Sequence, residues 1–200
     1  MNEIARPRLS MLLCLGLALG LGGCSAESPE APPLQGARLG GPLTLTDQNG
    51  RRTSEADFAG LYRIVYFGFT FCPDVCPVDL QQIGQAMRQI EKTDPAIAAT
   101  IQPIFVTVDP ERDTPAVLKQ YVAAFHPRLI GLTGRTDEIA RAAKAYGVYY
   151  TKREADAGNG YVVDHSRVAL LFGPDGAPIA ILPHEKGADA IAAELKRWVV

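Results

Sequence analysis

The sequence predicts an α/β fold in which helices cover both faces of a mixed central sheet, with a β-hairpin extension before it. Apolar segments typical of buried strands alternate with segments of helical periodicity from about residue 60 onward. Two further strands joined by a turn, and then a last helix, close the chain. Alternation of this kind is typical of a mixed sheet with helices on both sides.

The first residues do not follow this pattern and resemble a targeting signal. Arg6 and Arg8 precede an apolar stretch that ends in LGG and then Cys24. The stretch is shorter than a transmembrane helix, which needs about 20 apolar residues, and is typical of a signal-peptide core. Because LGGC resembles the bacterial lipobox, we expect residues 1–23 to be a lipoprotein signal peptide and Cys24 to be lipidated. Cleavage at another nearby site, with Cys24 incidental, is the alternative.

Behind this signal, composition separates a linker from a folded domain. Residues 24–41 are rich in Pro, Ala, Glu and Gly without an apolar period, which predicts a lipidated tether. Residues 42–200 have the length of one domain. The formal net charge of −2 argues against a nucleic-acid-binding protein. The predicted location is the periplasmic side of the cell membrane, anchored by lipid, with the inner membrane favoured.

The first elements of the domain have clear local patterns. Residues 43–54 alternate apolar and polar side chains around Asn49 and Gly50, which predicts a hairpin. Residues 63–70 form an apolar, β-branched and aromatic run, which predicts a buried central strand. Pro77 fits the first turn of a helix. That helix has one apolar stripe, formed by Leu80, Ile83, Met87 and Ile90.

The second half of the domain continues the alternation. Thr114 can cap a helix and Pro115 fits its first turn. Gly147 can end a helix, and residues 174–176, Pro-Asp-Gly, form a turn. The predicted elements, in order, are a buried strand over 101–110, a helix over 114–125, a short helix over 136–146, two strands within 161–184, and a helix over 187–199.

The feature that carries chemistry is a cysteine pair, Cys72 and Cys76, with three residues between them and a proline after each. The pair follows the first central strand and enters a helix, as in thioredoxin-like folds. The positive end of a helix favours a thiolate, so the pair is a candidate for redox chemistry or for binding a soft ion such as Cu(I) or, with more ligands, zinc. One structural disulfide is the third interpretation. Thioredoxins have a shorter spacer of two residues, which weakens a plain thioredoxin assignment.

Three histidines could add a ligand. His126 and His184 stand among residues typical of surfaces, and we expect both at the surface. His165 follows Asp164 and begins a strand that is apolar beyond it. A lone histidine there is more often structural. In a thioredoxin-like layout, however, the loop before this strand approaches the cysteine loop, so His165 is the candidate third ligand.

Three motifs in order, FGFTFCPDVCP, VTVDPERDTP and YVVDHS followed by FGPDG, resemble the Sco/SenC family of copper-binding proteins. The resemblance extends from about Leu43 to near the end of the chain. It implies a thioredoxin-like, extracytoplasmic copper chaperone that helps to assemble the binuclear CuA centre of cytochrome c oxidase. The implied partners are the copper-bearing subunit of the oxidase, an upstream periplasmic copper donor and a membrane, reached through the lipid anchor.

The resemblance also implies a ligand set. The copper-binding residues of the family correspond to Cys72, Cys76 and His165. Thiolates hold Cu(I) tightly and an imidazole helps to accommodate Cu(II), so one site can hold both states. Water or a nearby oxygen would complete a Cu(II) site. The carboxylate candidates, each favoured more as a loop or supporting residue, are Asp164, Asp74 and Asp109.

Three functions are open at this point. The leading one is a copper chaperone. The alternative is a thiol–disulfide oxidoreductase that reduces the cysteines of the oxidase copper site, with Cys72 and Cys76 as the redox-active pair. That enzyme does not need His165, which therefore discriminates between the two. A peroxidase would need one activated cysteine with threonine and arginine partners. Thr70 lies near Cys72, but no suitable arginine is evident, so a peroxidase is disfavoured.

Two neighbours of the cysteine pair have structural predictions. Asp113 is expected to cap the helix that follows it. Phe71, directly before Cys72, is expected to add apolar cover and to affect access to the site rather than coordination.

Overall fold

The fold is built around a mixed β-sheet, in a computed structural model that describes residues 30–154 and 160–200. The strands in this part of the chain are β1 (Thr44–Asp47), β2 (Arg52–Ser54), β3 (Tyr62–Gly68), β4 (Ile101–Thr107), β5 (Ile130–Thr133), β6 (Tyr150–Glu154), β7 (Tyr161–His165), β8 (Ala169–Phe172) and β9 (Pro178–Leu182). The helices are α1 (Val75–Thr93), α2 (Pro95–Ala99), α3 (Pro115–Ala123), α4 (Thr136–Ala145) and α5 (Ala188–Trp198).

Within the described residues, seven strands form the main sheet in the order β2-β1-β5-β4-β3-β8-β9. The interior strand β3 runs parallel to β4 and antiparallel to β8. Every residue of β3 and nearly all of β4 are buried, because both faces of an interior strand are covered. α1 packs against α5, and α3 packs against β5. The carboxyl ends of β3 and β4 therefore meet at one edge of the sheet.

The predicted α/β class is confirmed, and elements with a clear pattern lie close to their expected bounds. In the β1–β2 hairpin, the Asp47 carboxylate accepts hydrogen bonds from the backbone N–H groups of Asn49 at 2.8 Å and Arg51 at 2.9 Å. Gly50 has a φ of 80°, in the left-handed region that glycine adopts without strain. The predicted turn is thus formed by the expected residues.

Three parts of the domain differ from the prediction. α1 begins at Val75, so Pro77 lies in the first turn as predicted, whereas Cys76 lies inside that turn rather than at or just before the start of the helix. α2 and β5 were missed, because elements of five and four residues are too short to display a period. Residues 161–172 are not one strand: β7 pairs with β6 in a separate two-stranded sheet, and β8 joins the main sheet. His165 therefore ends a strand instead of beginning one.

The segments predicted at the start of the chain are largely outside the described residues. The predicted signal peptide, residues 1–23, and the predicted lipidation site, Cys24, lie outside the described residues. So do the first residues of the predicted 24–41 tether. These boundaries stay predictions. Among the residues that the structure describes, no helix is long and apolar enough to span a bilayer.

Candidate metal centre

The two cysteines lie where β3 ends and α1 begins. Cys72 is half-buried in the connecting loop, and Cys76 is fully buried in the first turn of α1. Gly68, the last residue of β3, allows this approach. A Cβ atom at Gly68 would lie 2.9 Å from the Cys76 sulfur and 3.1 Å from the ring of Tyr66. This glycine is therefore required by the contact with the sulfur.

A buried carboxylate, Asp113, holds the loop that carries Cys72. Thr70 donates to it from the backbone N–H at 3.0 Å and from the hydroxyl at 2.6 Å. Thr107, at the end of β4, donates its hydroxyl at 2.6 Å. Burial raises the pKa of Asp113, and these hydrogen bonds oppose the shift. The predicted helix-capping role of Asp113 is wrong, because the side chain of Thr114 caps α3 while Asp113 faces the interior.

His165 brings a third donor atom to the cysteines. Its Nε2 lies 3.2 Å from the Cys76 sulfur, although 89 positions separate the two residues. Its Nδ1 lies 3.0 Å from the Ser166 carbonyl oxygen, which can only accept, so Nδ1 carries a proton. In the neutral ring Nε2 then presents its lone pair towards the sulfur. The imidazole is held edge-to-face against the rings of Phe69 and Tyr66, at centroid distances of 5.9 and 6.5 Å.

The donor atoms of Cys72, Cys76 and His165 all lie within 4.8 Å of one another. Both cysteines are free thiols, so both sulfurs are available. Two thiolates are soft ligands that suit Cu(I), and an imidazole suits Cu(II) as well. The chemistry of this donor set therefore fits copper in either oxidation state.

The two thiols have opposite electrostatic environments. The hydrogen bond with Cys76 lowers the pKa of Cys72, and interaction with His165 lowers it further, although burial opposes the shift. The same bond between the cysteines, followed by burial, raises the pKa of Cys76. The backbone N–H of Cys76 also points at the Cys72 sulfur, at 3.5 Å, from the positive end of α1. These surroundings therefore favour the thiolate at Cys72 and the thiol at Cys76.

No carboxylate oxygen in the described part of the chain joins the three donor atoms. Asp109 is buried and accepts a hydrogen bond from the Tyr161 hydroxyl at 2.7 Å. Asp164 is exposed and pairs with Arg153 at 2.9 Å. Asp74 is exposed at the start of α1. Asp109 and Asp164 are thus engaged in other contacts, and none of the three candidate carboxylates joins the donor atoms.

A second buried carboxylate, Asp79, lies one helical turn after Cys76 and was missed by the sequence analysis. It accepts hydrogen bonds from the Tyr66 hydroxyl at 2.8 Å and from Arg167 Nε at 2.7 Å, with a further bond from Arg167 Nη2. His184 Nε2 lies 3.5 Å from the same carboxylate. The predicted surface position of His184 is wrong, because this side chain is buried against Asp79 and the ring of Tyr66.

The surface position predicted for His126 is also wrong. His126 is buried, with Nε2 3.3 Å from the Glu91 carboxylate and Nδ1 accepting from the Arg128 N–H at 3.2 Å. Burial lowers its pKa, and Glu91 opposes the shift. Its place in a short loop after a helix suggested exposure, but the side chain points inward. Neither His126 nor His184 joins the three donor atoms.

Phe71 lies at the rim of the site and is 58% exposed. The guanidinium carbon of Arg112 lies 4.8 Å from the centre of its ring and 3.9 Å from that of Tyr161, in β7. Arg112 thus joins the cysteine loop to the strand that ends in His165. The effect of Phe71 on access stays a prediction.

Known proteins similar to this chain include a curated relative and solved structures. The Bos taurus protein named SCO2 homolog, mitochondrial, is 38% identical over 201 residues, which cover 95% of this chain and 75% of that protein. Arabidopsis thaliana ScoI with copper bound is 38% identical, with a TM-score of 0.74 over 80% of this chain and 97% of that one. BsSco, described as a member of the Sco family of cytochrome c oxidase assembly proteins with a disulfide switch, is 26% identical, with a TM-score of 0.60 over 78% and 90%.

These comparisons confirm two predictions and correct one. The thioredoxin-like fold is confirmed, since a thioredoxin domain from Bacteroides vulgatus, only 18% identical, shares the fold with a TM-score of 0.53. Copper is confirmed as the ion held in structures of similar proteins. The predicted location, a lipid-anchored protein on the periplasmic side of the cell membrane, is wrong: the curated relatives from animals, yeast and a plant are mitochondrial proteins. An apolar stretch behind two arginines does not identify which membrane a chain reaches.

The extent of the match decides the family. The chain spans between 42% and 79% of the length of the curated relatives. The SCO1/SenC family model matches residues 31–200, which include both cysteines of the pair and His165. Together with identity of 38% over 95% of its length, this means that the chain belongs to the SCO1/SenC family.

Proposed function

We propose that this chain is a copper chaperone that holds copper with Cys72, Cys76 and His165 and delivers it to the CuA centre of cytochrome c oxidase. The observation that carries the proposal is the distance of 4.8 Å or less among the three donor atoms. The copper-bound structures of similar proteins support the choice of ion. The description of BsSco supports a role in oxidase assembly.

The three ligands suit an ion that is cargo rather than a permanent cofactor. Two thiolates bind Cu(I), and the imidazole adds a donor that Cu(II) prefers. Cys72 is half-buried whereas Cys76 is fully buried. An acceptor protein therefore reaches Cys72 first, and its own ligands replace the three donor atoms in steps. The copper-bearing subunit of the oxidase is the proposed acceptor, and an upstream copper-carrying protein is the proposed donor.

The test is a count of bound Cu(I) in competition with a coloured chelator. We expect the reduced protein to take up one equivalent. Cys72→Ser and Cys76→Ser should each weaken Cu(I) binding by at least about 100-fold, because each removes one of two thiolates. Cys24→Ser, which changes a cysteine that precedes the residues matched by the family model, is the matched control and should bind like the wild type. Equal binding by all four proteins would contradict the proposal.

A thiol–disulfide oxidoreductase is the second candidate, favoured by the contrast between the two sulfurs. Cys72 is the more exposed sulfur and has the lowered pKa. Its thiolate would attack one sulfur of a target disulfide, forming a mixed disulfide and releasing one target thiolate. Cys76, after losing its proton, would then attack Cys72, forming the Cys72–Cys76 disulfide and releasing the second target thiol. The described disulfide switch of BsSco supports this candidate.

Trapping separates the two candidates. A Cys76→Ser variant of an oxidoreductase accumulates the mixed disulfide through Cys72, whereas Cys72→Ser does not. His165→Ala should leave this reaction intact while it weakens Cu(II) binding. If neither single-cysteine variant forms a mixed disulfide with an oxidised acceptor peptide, the enzyme candidate is rejected and the chaperone remains.

A further inference from the structure

The carboxylate of Asp79 and the guanidinium of Arg167 form a two-point ion pair near the donor atoms. Arg167 donates from both Nε and Nη2 to the two oxygens of Asp79, in the forked geometry that makes such pairs directional. Asp79 is fully buried, and the Arg167 side chain is 39% exposed. The Tyr66 hydroxyl donates to the same carboxylate at 2.8 Å. We call Asp79, Arg167 and Tyr66 the Asp79 clasp.

The clasp joins the two elements that supply the ligands. Asp79 follows Cys76 by one turn of α1, so both side chains leave the same side of the helix. Arg167 follows His165 by two residues, in the segment between β7 and β8. The Cys76 sulfur in turn lies 3.2 Å from His165 Nε2. The ion pair and the sulfur–imidazole contact therefore connect α1 to the His165 segment at two points.

Tyr66 contacts one residue of each connection, Asp79 and His165. Its ring meets the imidazole of His165 edge-on, with centroids 6.5 Å apart, while its hydroxyl is used by Asp79. The orientation of His165 thus depends on the same carboxylate that holds Arg167.

The consequence differs for the two oxidation states of copper. Cys72 lies in the β3–α1 loop and Cys76 in the first turn of α1, so neither sulfur is on the segment that carries Arg167. The imidazole comes from a different element, and the clasp ties that element to α1. Cu(I) is satisfied by two thiolates, whereas Cu(II) needs the nitrogen donor. Loss of the clasp should therefore weaken Cu(II) selectively.

We propose that Arg167 is a positioning residue, which acts through Asp79 to hold His165 at the metal centre and so sets the preference of the site for Cu(II). This inference rests on the proposed copper-binding function. It assigns no ligand role to Arg167, because its guanidinium is occupied by the carboxylate.

The experiment compares Arg167→Met with Arg52→Met. Arg52 also pairs a partly exposed guanidinium with a buried carboxylate, that of Glu138, at 2.9 Å. It lies in β2, four strands away from β3 in the sheet. Arg167→Lys tests whether a positive charge without the two parallel hydrogen bonds of arginine is enough to hold His165. His165→Ala gives the signal of a site without its imidazole. For each reduced protein we would measure the thermal midpoint, the Cu(I) affinity, the Cu(II) affinity and the thiolate-to-Cu(II) charge-transfer spectrum.

We expect R167M to bind Cu(I) within threefold of the wild type, to bind Cu(II) at least tenfold more weakly, and to shift its spectrum towards that of His165→Ala. R52M should lower the thermal midpoint comparably and leave both affinities and the spectrum unchanged. R167K should recover part of the Cu(II) affinity. If R167M does not fold, Arg167→Gln replaces it in the same comparison.

The proposal is overturned if the copper spectrum and the Cu(II) affinity of R167M match those of R52M, since the ion pair would then be structural only. Equal losses of Cu(I) and Cu(II) affinity would also overturn it, because the effect would not be specific to the imidazole. A wild-type protein that retains no copper would instead reject the proposed function itself.

Discussion

Gly68 decides how closely the Cys76 sulfur can approach the end of β3. An added Cβ would lie 2.9 Å from that sulfur and 3.0 Å from the ring of Phe105, and both groups are fully buried. We expect Gly68→Ala to lower the free energy of unfolding by about 1–3 kcal/mol, as overpacking does. Because the sulfur must move, Cu(I) affinity should fall as well. Denaturant unfolding and chelator competition measure the two effects.

A double-mutant cycle identifies the cause of that loss. In a Cys76→Ala background, the penalty of Gly68→Ala should fall by about 1 kcal/mol, because the closest atom is gone. An unchanged penalty would mean that the contacts with Phe105 and Tyr66, and not the sulfur, exclude a side chain at Gly68.

The thiolate character of Cys72 predicts an unusual pH dependence of its alkylation. The hydrogen bond with Cys76 lowers the pKa of Cys72, so its thiolate persists as pH falls below the ordinary cysteine value of about 8.5. Between pH 6 and 8 the alkylation rate of Cys72 in a Cys76-containing protein should be nearly flat. Cys76→Ala removes the largest cause of the shift, and its rate should rise with pH. A wild-type rate that rises about tenfold per pH unit over this range would contradict the assignment.

Residues whose side chains can bind a metal or do redox chemistry could be picked out from the sequence. The residues that hold those side chains in position could not. Cys72, Cys76 and His165 stand in motifs, and the structure brings their donor atoms together. The importance of Asp79 depends on Arg167, which lies 88 positions away. Helical periodicity does place Asp79 four residues before Ile83, on the apolar side of α1, but nothing local in the sequence reveals its partner.

At the scale of elements, Asp113 connects the β3–α1 loop to the end of β4. Asp113→Ala would leave the Thr70 N–H and two hydroxyls without a partner, at a loss of about 2–4 kcal/mol in the free energy of unfolding. Asp113→Asn should lose less than about 1.5 kcal/mol, because its amide oxygen can still accept and its NH₂ can donate to the Thr70 hydroxyl. Asp175→Asn, in an exposed turn, is the control and should change stability by about 0.5 kcal/mol at most.

The same carboxyl makes a prediction about pH. Burial raises the folded-state pKa of Asp113 above its unfolded value, so its contribution to stability is full at low pH and is lost as pH rises through the folded pKa. Asp113→Asn does not titrate. The stability of this variant relative to the wild type should therefore improve between pH 4 and pH 7 in denaturant unfolding. A difference that stays constant over that range would argue against a raised pKa.

Elements were predictable where one face or both faces are apolar over several residues. β3 and β4 are buried along almost their whole length and read as apolar runs. β6 is mostly exposed and polar, and β5 has only four residues, so neither produced a period. The break between β7 and β8 was missed because both sequences favour strands. Only pairing with β6 separates them.

At the scale of the whole molecule, the candidate site exists only when the entire sheet is assembled. β8 pairs with β3, and this pairing brings the preceding segment, with His165, back to the cysteines at the start of α1. In the predicted thioredoxin-like fold the chain returns past the cysteines in this way, which is why His165 could be selected from the three histidines. The location of the protein could not be predicted in the same way, because a targeting signal is read by other molecules.

The central claim is that three side chains hold copper, and addition of Cu(II) to the reduced protein beside its His165→Ala variant tests it most directly. The thiolate-to-copper absorption and the number of free thiols are measured together. We predict a stable coloured complex in the wild type that is lost or strongly weakened in the variant, because the imidazole is the donor that Cu(II) requires. Disulfide formation with no retained copper in both proteins would contradict the account and leave the oxidoreductase as the function of the cysteine pair.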